Sequence, residues 1–167
     1  MSRLDSFIER MQAQRALLTR ICADLNKAGN TFPGPAIELG LGNGRTYDHL
    51  RRHLEGRRIV VFDRSVKANP DSVPPADDLF IGEIDKTGPA FVSQFGRIGA
   101  VLHADLGNGV AADDLKLQAW LPDVAAALVR QDAWVVTSTR LDHPALMEQD
   151  PPPEVRRGKP YHVYRRA

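Results

Sequence analysis

Ile37-Glu38-Leu39-Gly40-Leu41-Gly42-Asn43-Gly44 is an apolar run that carries one acidic residue and passes into three glycines at alternate positions. The run reads as a strand and the glycines as a turn into a helix, because residues without a Cβ let the backbone reverse tightly and lie against a ligand. A second apolar run, Arg58-Ile59-Val60-Val61-Phe62-Asp63, closes on a carboxylate nineteen residues after Gly44. A carboxylate there can accept hydrogen bonds from both hydroxyls of a ribose. Together the two segments describe a strand, loop, helix and strand that hold a nucleoside.

Glycine spacing separates two cofactor classes. A dinucleotide-binding turn reads G-x-G-x-x-G, with a helix N-terminus facing the pyrophosphate. Here the third glycine comes one position early, and Glu38 stands two before the first. A carboxylate so placed would repel a pyrophosphate but suits an ammonium. Glu38-Leu39-Gly40-Leu41-Gly42-Asn43-Gly44 resembles motif I of the class I methyltransferases, which use S-adenosylmethionine, and the likeness extends over about residues 36–140. It implies a three-layer αβα sandwich around a mostly parallel, Rossmann-like sheet. The implied activity is methyl transfer from S-adenosyl-L-methionine, with S-adenosyl-L-homocysteine as product, in a short stand-alone bacterial form. By the same resemblance Glu38, Gly40, Gly42 and Gly44, with Leu41 and Asn43 in the same loop, surround the methionine part of the cofactor, Glu38 near its amino group. Asp63 then binds the ribose, and Arg64 lies at the adenine edge. Glu83 and Ile84, after Gly82, are similar to the third motif, where a carboxylate accepts from the adenine amino group and a neighbouring amide meets a ring nitrogen.

The 167 residues fit one domain large enough to bury a core: an N-terminal helix in 1–30, a cofactor-binding core over 36–140, and a loop with a closing strand over 141–167. Lys and Arg number 22 against 21 Asp and Glu, and a net charge of +1 exerts no global pull toward nucleic acid or a membrane surface. A single cysteine, Cys22, excludes an intrachain disulfide and a cysteine-ligated zinc. No apolar run approaches the roughly twenty residues that span a bilayer. Met1-Ser2-Arg3-Leu4-Asp5-Ser6 lacks the basic-then-apolar layout of a signal peptide. The expected setting is cytoplasmic, and the expected partner a small-molecule methyl acceptor rather than nucleic acid.

Leu4, Phe7, Ile8, Met11, Leu18, Ile21 and Leu25 fall among charged residues at helical spacing, which predicts an amphipathic helix over 3–27 closed by Gly29. Leu4, Met11, Leu18 and Leu25 recur every seven residues, with Gln14 breaking the apolar pattern between them. Such a helix either covers one edge of the core or pairs with a second copy in a homodimer or higher homo-oligomer. Further strands are predicted at 36–39, 58–63, 79–84, 99–105 and 133–138, helices at 45–54 and 111–130, and an ordered, proline-bearing loop at 67–78. The 133–138 run is nearly continuous in apolar content, as parallel strands buried on both faces are. Strands alternating with helices predict an open, mostly parallel sheet, with ligands beyond the carboxyl ends of its strands. A full class I methyltransferase then adds another helix and two more strands. Here 141–160 is proline-rich and only 161–165 reads as extended, so the fold is expected to be trimmed at its C-terminal edge, with one closing strand.

Methyl transfer from a sulfonium is an in-line displacement, for which a protein supplies alignment and, where the acceptor carries a proton, a base. His103-Ala104-Asp105-Leu106-Gly107-Asn108-Gly109 ends the fourth strand with a histidine and an aspartate two apart, on one side of the strand. Asp105 stands where the resemblance puts the fourth motif, beside the methyl group, so Asp105 and His103 are the candidate catalytic residues; His103 serves equally as a core histidine. The amino-methylating branch carries Asn/Asp-Pro-Pro-aromatic there, and the departure to Asp105-Leu106-Gly107-Asn108 disfavours adenine or glutamine amides as acceptors. Asp105 and Asn108 are magnesium-ligand types, but no second carboxylate pair stands at suitable spacing, and no metal is expected. Arg156, Arg157, Lys159, Arg165 and Arg166 make the tail basic, either as a solvated face or to recognise an anionic group. Two other functions stay open. An NAD or nucleotide-sugar enzyme is opposed by the early third glycine and the want of a second catalytic domain. A non-catalytic cofactor-binding or assembly module is compatible with the shortened tail.

Overall fold

A computed structural model of the chain describes residues 2–107, 110–153, 155 and 161–167. Asn108 and Gly109 of the turn after the fourth strand, and Arg156, Arg157 and Lys159 of the basic tail, lie outside the described residues. Helix α1 (Arg3–Ala28) opens with a capping box in which Ser2 and Asp5 each accept from the other's backbone N–H, and it stops at Gly29, whose φ is 52°. Leu17, Leu18, Ile21, Cys22 and Leu25 are buried, whereas Leu4, Phe7 and Ile8 are exposed. Only the later part of the seven-residue recurrence therefore reaches the core.

β1 (Ala36–Leu39), α2 (Arg45–His53), β2 (Ile59–Asp63) and β3 (Leu79–Ile81) follow, then α3 (Ile84–Phe95) and β4 (Gly99–Ala104). The third strand is shorter than predicted. Gly82 has φ 147°, a region that residues with side chains avoid, and it turns the chain so that Glu83 precedes and Ile84 opens α3. The single helix predicted over 111–130 is two, α4 (Ala111–Gln118) and α5 (Leu121–Leu128). Pro122 explains the break, because it has no N–H to donate to the carbonyl of Gln118 and its ring would clash there. Val129 and Arg130 already belong to β5 (Val129–Thr137).

The C-terminal edge carries both β6 (Leu146–Gln149) and β7 (His162–Arg166), two closing strands instead of one. β6 offered little signal: Leu146 is buried and Met147 exposed, too short an alternation to stand out from a proline-rich stretch. What is trimmed is a helix, since residues 138–145 join β5 to β6 without one.

The strand order is β3-β2-β1-β4-β5-β7-β6, and β7 alone runs against its neighbours. Helices α1 and α2 share one core with Ala36, Val61, Val101, Val136 and Val163. On the opposite face α3 and α5 share another with Ile37, Leu39, Val60, Phe62, Leu102 and Val135. The result is three αβα layers about a mostly parallel, Rossmann-like sheet. Alternate strand residues face opposite sides, so Glu38 and His103, partners across β1 and β4, both face α1 and α2. The chain order reverses between these two strands, and such a switch point opens a crevice beyond their carboxyl ends.

Candidate active site

The glycine loop leaves β1 at that switch point. Gly40 has φ 86° and donates its N–H to Phe62 O at 2.8 Å; a Cβ there would come 2.5 Å from Leu106 Cδ2. Gly44, at φ 85°, precedes α2 and would press a Cβ to 2.5 Å from Ser72 Cβ. At Gly42 a Cβ would meet nothing within 4 Å, because the loop there borders open space.

A cleft of about 600 Å³ lies against this loop, and its wall brings together Gly40, Gly42, Asp63, Arg64, Glu83 and Ile84 with Asp105. Leu41 turns its side chain into the core, and Asn43 is exposed with its carbonyl accepting from Asn69 N at 3.3 Å. Asp63 Oδ2 accepts from the N–H groups of Leu41 at 2.7 Å and Gly42 at 3.1 Å, while Oδ1 accepts from Ser65 N at 3.2 Å. Asp63 thus anchors the glycine loop to the end of β2. Leu106, Asp113, Lys116, Leu117 and Trp120 complete the wall, and sequence reasoning did not find them. A helical signal was there to find, since Asp113, Lys116, Leu117 and Trp120 recur at three- and four-residue spacing on one side of the chain.

Behind the loop runs a polar network. Glu38 is fully buried; His103 Nδ1 lies 2.9 Å from its Oε2, and Thr46 of α2 donates its hydroxyl to Oε1. His103 Nε2 faces the Gln14 side-chain nitrogen at 3.3 Å, and that same amide donates to Asp105 Oδ2 at 3.2 Å and to the Tyr161 hydroxyl. Arg10 Nη1 donates to both Asp105 oxygens, at 2.9 and 2.8 Å. The structure therefore brings Asp105 to the cleft wall and keeps His103, 1% exposed, behind it. Burial works against protonation of His103, yet the Glu38 charge and hydrogen bond and then the Asp105 charge outweigh it, raising the imidazole above its ordinary range. Burial, with the charge and hydrogen bond of Asp105, pushes the Tyr161 hydroxyl far up, so it stays a neutral phenol. Arg10, Gln14, Thr46 and Tyr161 are further site residues that sequence reasoning missed.

These features fit S-adenosylmethionine. Gly42 leaves room for close approach, the carboxylates of Asp63, Glu83 and Asp105 line the wall, and Ile84, Leu106 and Trp120 offer apolar surface. The cleft volume falls within the roughly 300–1,000 Å³ usual for such ligands.

Comparison with known proteins agrees. A family model described as S-adenosyl-L-methionine methyltransferase matches residues 1–166, and the chain belongs to that family of S-adenosylmethionine-dependent enzymes. An S-adenosyl-L-methionine methyl transferase from Silicibacter pomeroyi DSS-3 is similar along 100% of this chain and 99% of its own, with 40% identity and a TM-score of 0.90. A Corynebacterium glutamicum protein shares the fold at 13% identity and a TM-score of 0.60, over 94% of this chain and 81% of that one. So does the antibiotic-resistance methyltransferase Kmr, at 12% identity and a TM-score of 0.54, over 87% and 92%. No curated protein sequence matches the chain. Among the described residues, no helix is long and apolar enough to cross a membrane.

Proposed function

We propose that this methyltransferase acts on a small-molecule acceptor that enters the cleft at the carboxyl end of β4, beside Leu106 and Trp120. The observation that carries the reading is the cleft itself: one continuous wall runs from Glu83 and Ile84 past Asp63 and the glycine loop to Asp105. In this reading Glu83 accepts from the adenine amino group, the Ile84 amide meets a ring nitrogen, and Asp63 takes the ribose hydroxyls. The glycine loop, with Gly40, Gly42 and Gly44, would hold the methionine part of the cofactor. Bound there, S-adenosylmethionine would supply an electrophilic methyl carbon, to which an acceptor lone pair bonds as the carbon–sulfur bond breaks and S-adenosylhomocysteine leaves with that electron pair.

The chain's own residues contribute alignment, since both Asp105 oxygens already accept from Arg10 and both His103 nitrogens face partners. A small acceptor is supported by the short 138–145 connection, which adds no lid or substrate domain over β5. Parallel calorimetric titrations with S-adenosylmethionine, S-adenosylhomocysteine and NAD test the nucleoside site, followed by a labelled-methyl screen of small amines, thiols, phenols and carboxylates. Micromolar binding of the first two ligands with NAD silent, and label entering a small molecule, is the expected result. NAD binding alone, or label entering only RNA or protein, would overturn it.

A further inference from the structure

The cofactor of this family ends in an amino-acid group, an ammonium beside a carboxylate, so its receptor needs one anion and one cation side by side. Glu38, the acidic residue that the loop motif offers, is unavailable because it is fully buried behind the loop, against Thr46 and His103. Asp63 holds the loop amides on the β2 side of the cleft, where the reading above gives it the ribose. Asp105 is placed differently. It follows Ala104, the register partner of Leu39, and so sits level with Gly40 at the switch point between β4 and β1.

Asp105 also has a cation in contact. Arg10 Nη1 holds both of its oxygens; the two side chains are 31% and 20% exposed, and Asp105 lies on the cleft wall. A guanidinium carries five N–H donors in a flat fork, and among the described residues only Nη1 has a hydrogen-bond partner, leaving the Nη2 and Nε edge for the ligand. Gln14 steadies Asp105 on its protein side with a 3.2 Å hydrogen bond.

We infer that Arg10 and Asp105 form the receptor for the amino-acid end of the cofactor, with Asp105 taking the ammonium and the free edge of Arg10 taking the carboxylate. The four charges then alternate in sign, and neither protein group loses its own partner. The N-terminal helix thereby contributes directly to cofactor binding. This rests on the cofactor reading above and changes the part given to Asp105, from accepting a proton to gripping a ligand.

Equilibrium binding of three ligands with the same uncharged thioether sulfur tests it: S-adenosylhomocysteine, its decarboxylated form, which keeps the ammonium without the carboxylate, and 5′-methylthioadenosine, which keeps neither group. In the unaltered enzyme each lost charge should weaken binding by roughly ten- to a hundredfold, the range for a charge-assisted hydrogen bond. Arg10→Gln should erase the preference for S-adenosylhomocysteine over the decarboxylated form and leave methylthioadenosine within about twofold. Asp105→Asn should erase the preference for the decarboxylated form over methylthioadenosine. Melting curves identify any variant that fails to fold, and Arg10→Lys, which keeps the cation, should then retain part of the preference. Equal weakening of all three ligands by Arg10→Gln, or no change in S-adenosylhomocysteine affinity, overturns the inference and leaves the cofactor reading standing. An unaltered enzyme that binds none of the three overturns both.

Discussion

Glu38→Gln removes the charge facing His103 while keeping the side chain's shape. The two groups are each 1% exposed and 2.9 Å apart. Removing one partner of a buried pair costs about 3–5 kcal/mol, because the other is left uncompensated. An amide keeps one acceptor oxygen, which sets the expected loss at the lower end, about 3 kcal/mol. For a domain of this size each 1 kcal/mol moves Tm by about 2–4 °C, so a fall of roughly 6–12 °C is expected. The loss carries a pH signature. Burial alone would lower His103, but Glu38 and then Asp105 raise it above its ordinary 6.5 in the folded state. A raised folded value means that the stabilisation is complete below the unfolded value and fades as pH climbs through the folded one. The gap between the two proteins should thus be widest below about pH 6.5 and narrow toward alkaline pH. Urea unfolding followed by circular dichroism across that range measures it. A gap under about 1 kcal/mol, or one that does not vary with pH, would refute the pairing as the source of stability.

Asp63→Ala should weaken S-adenosylmethionine binding by roughly ten- to a hundredfold, since it removes a charged acceptor from the cleft and frees the Leu41 and Gly42 amides; calorimetric titration reads this directly. Gly40→Ala should destabilise the fold by about 1–3 kcal/mol through its positive φ and the clash with Leu106. Adding Leu106→Ala should relieve the clash alone, and no recovery in denaturant midpoint would show that the backbone angle carries the whole penalty. Tyr164→Phe should cost about 1–3 kcal/mol, because the Tyr164 hydroxyl is the acceptor for the buried Leu141 N–H at 2.8 Å, and an unchanged midpoint would mean that water replaces it.

The sheet centre was legible because parallel strands buried on both faces are written as continuous apolar runs, and β1, at Ala36–Leu39, falls where it was predicted. The glycine loop was legible for a local reason: a positive φ at Gly40 and Gly44 is a property of the residue itself. The edge was not. β6 is four residues long and owes its existence to β7, whose Val163 pairs with Gln149 fourteen positions earlier in the sequence, and no local pattern encodes that pairing. Pro122 was a helix-breaking signal in plain view, overridden by the apolar content around it.

The site divides along the same line. Residues that act through their own backbone could be placed from the motif, while those that act through a partner could not. Glu38 looks like a ligand contact until β4, 65 residues away in sequence, lays His103 beside it and turns it into a buried support. Arg10 and Asp105 are 95 residues apart and meet only because α1 packs over the switch point. Even so, the sequence held one clue. Gln14 broke the apolar recurrence of α1 and lies four residues after Arg10, which puts both on one side of the helix. Gln14 is 7% exposed and donates to Asp105, which gives a polar residue on a buried face the partners it requires. A break in an apolar stripe is thus informative when the intruder can hydrogen-bond in several directions. Here it marked where the N-terminal helix stops being a cover for the core and begins to serve the cleft.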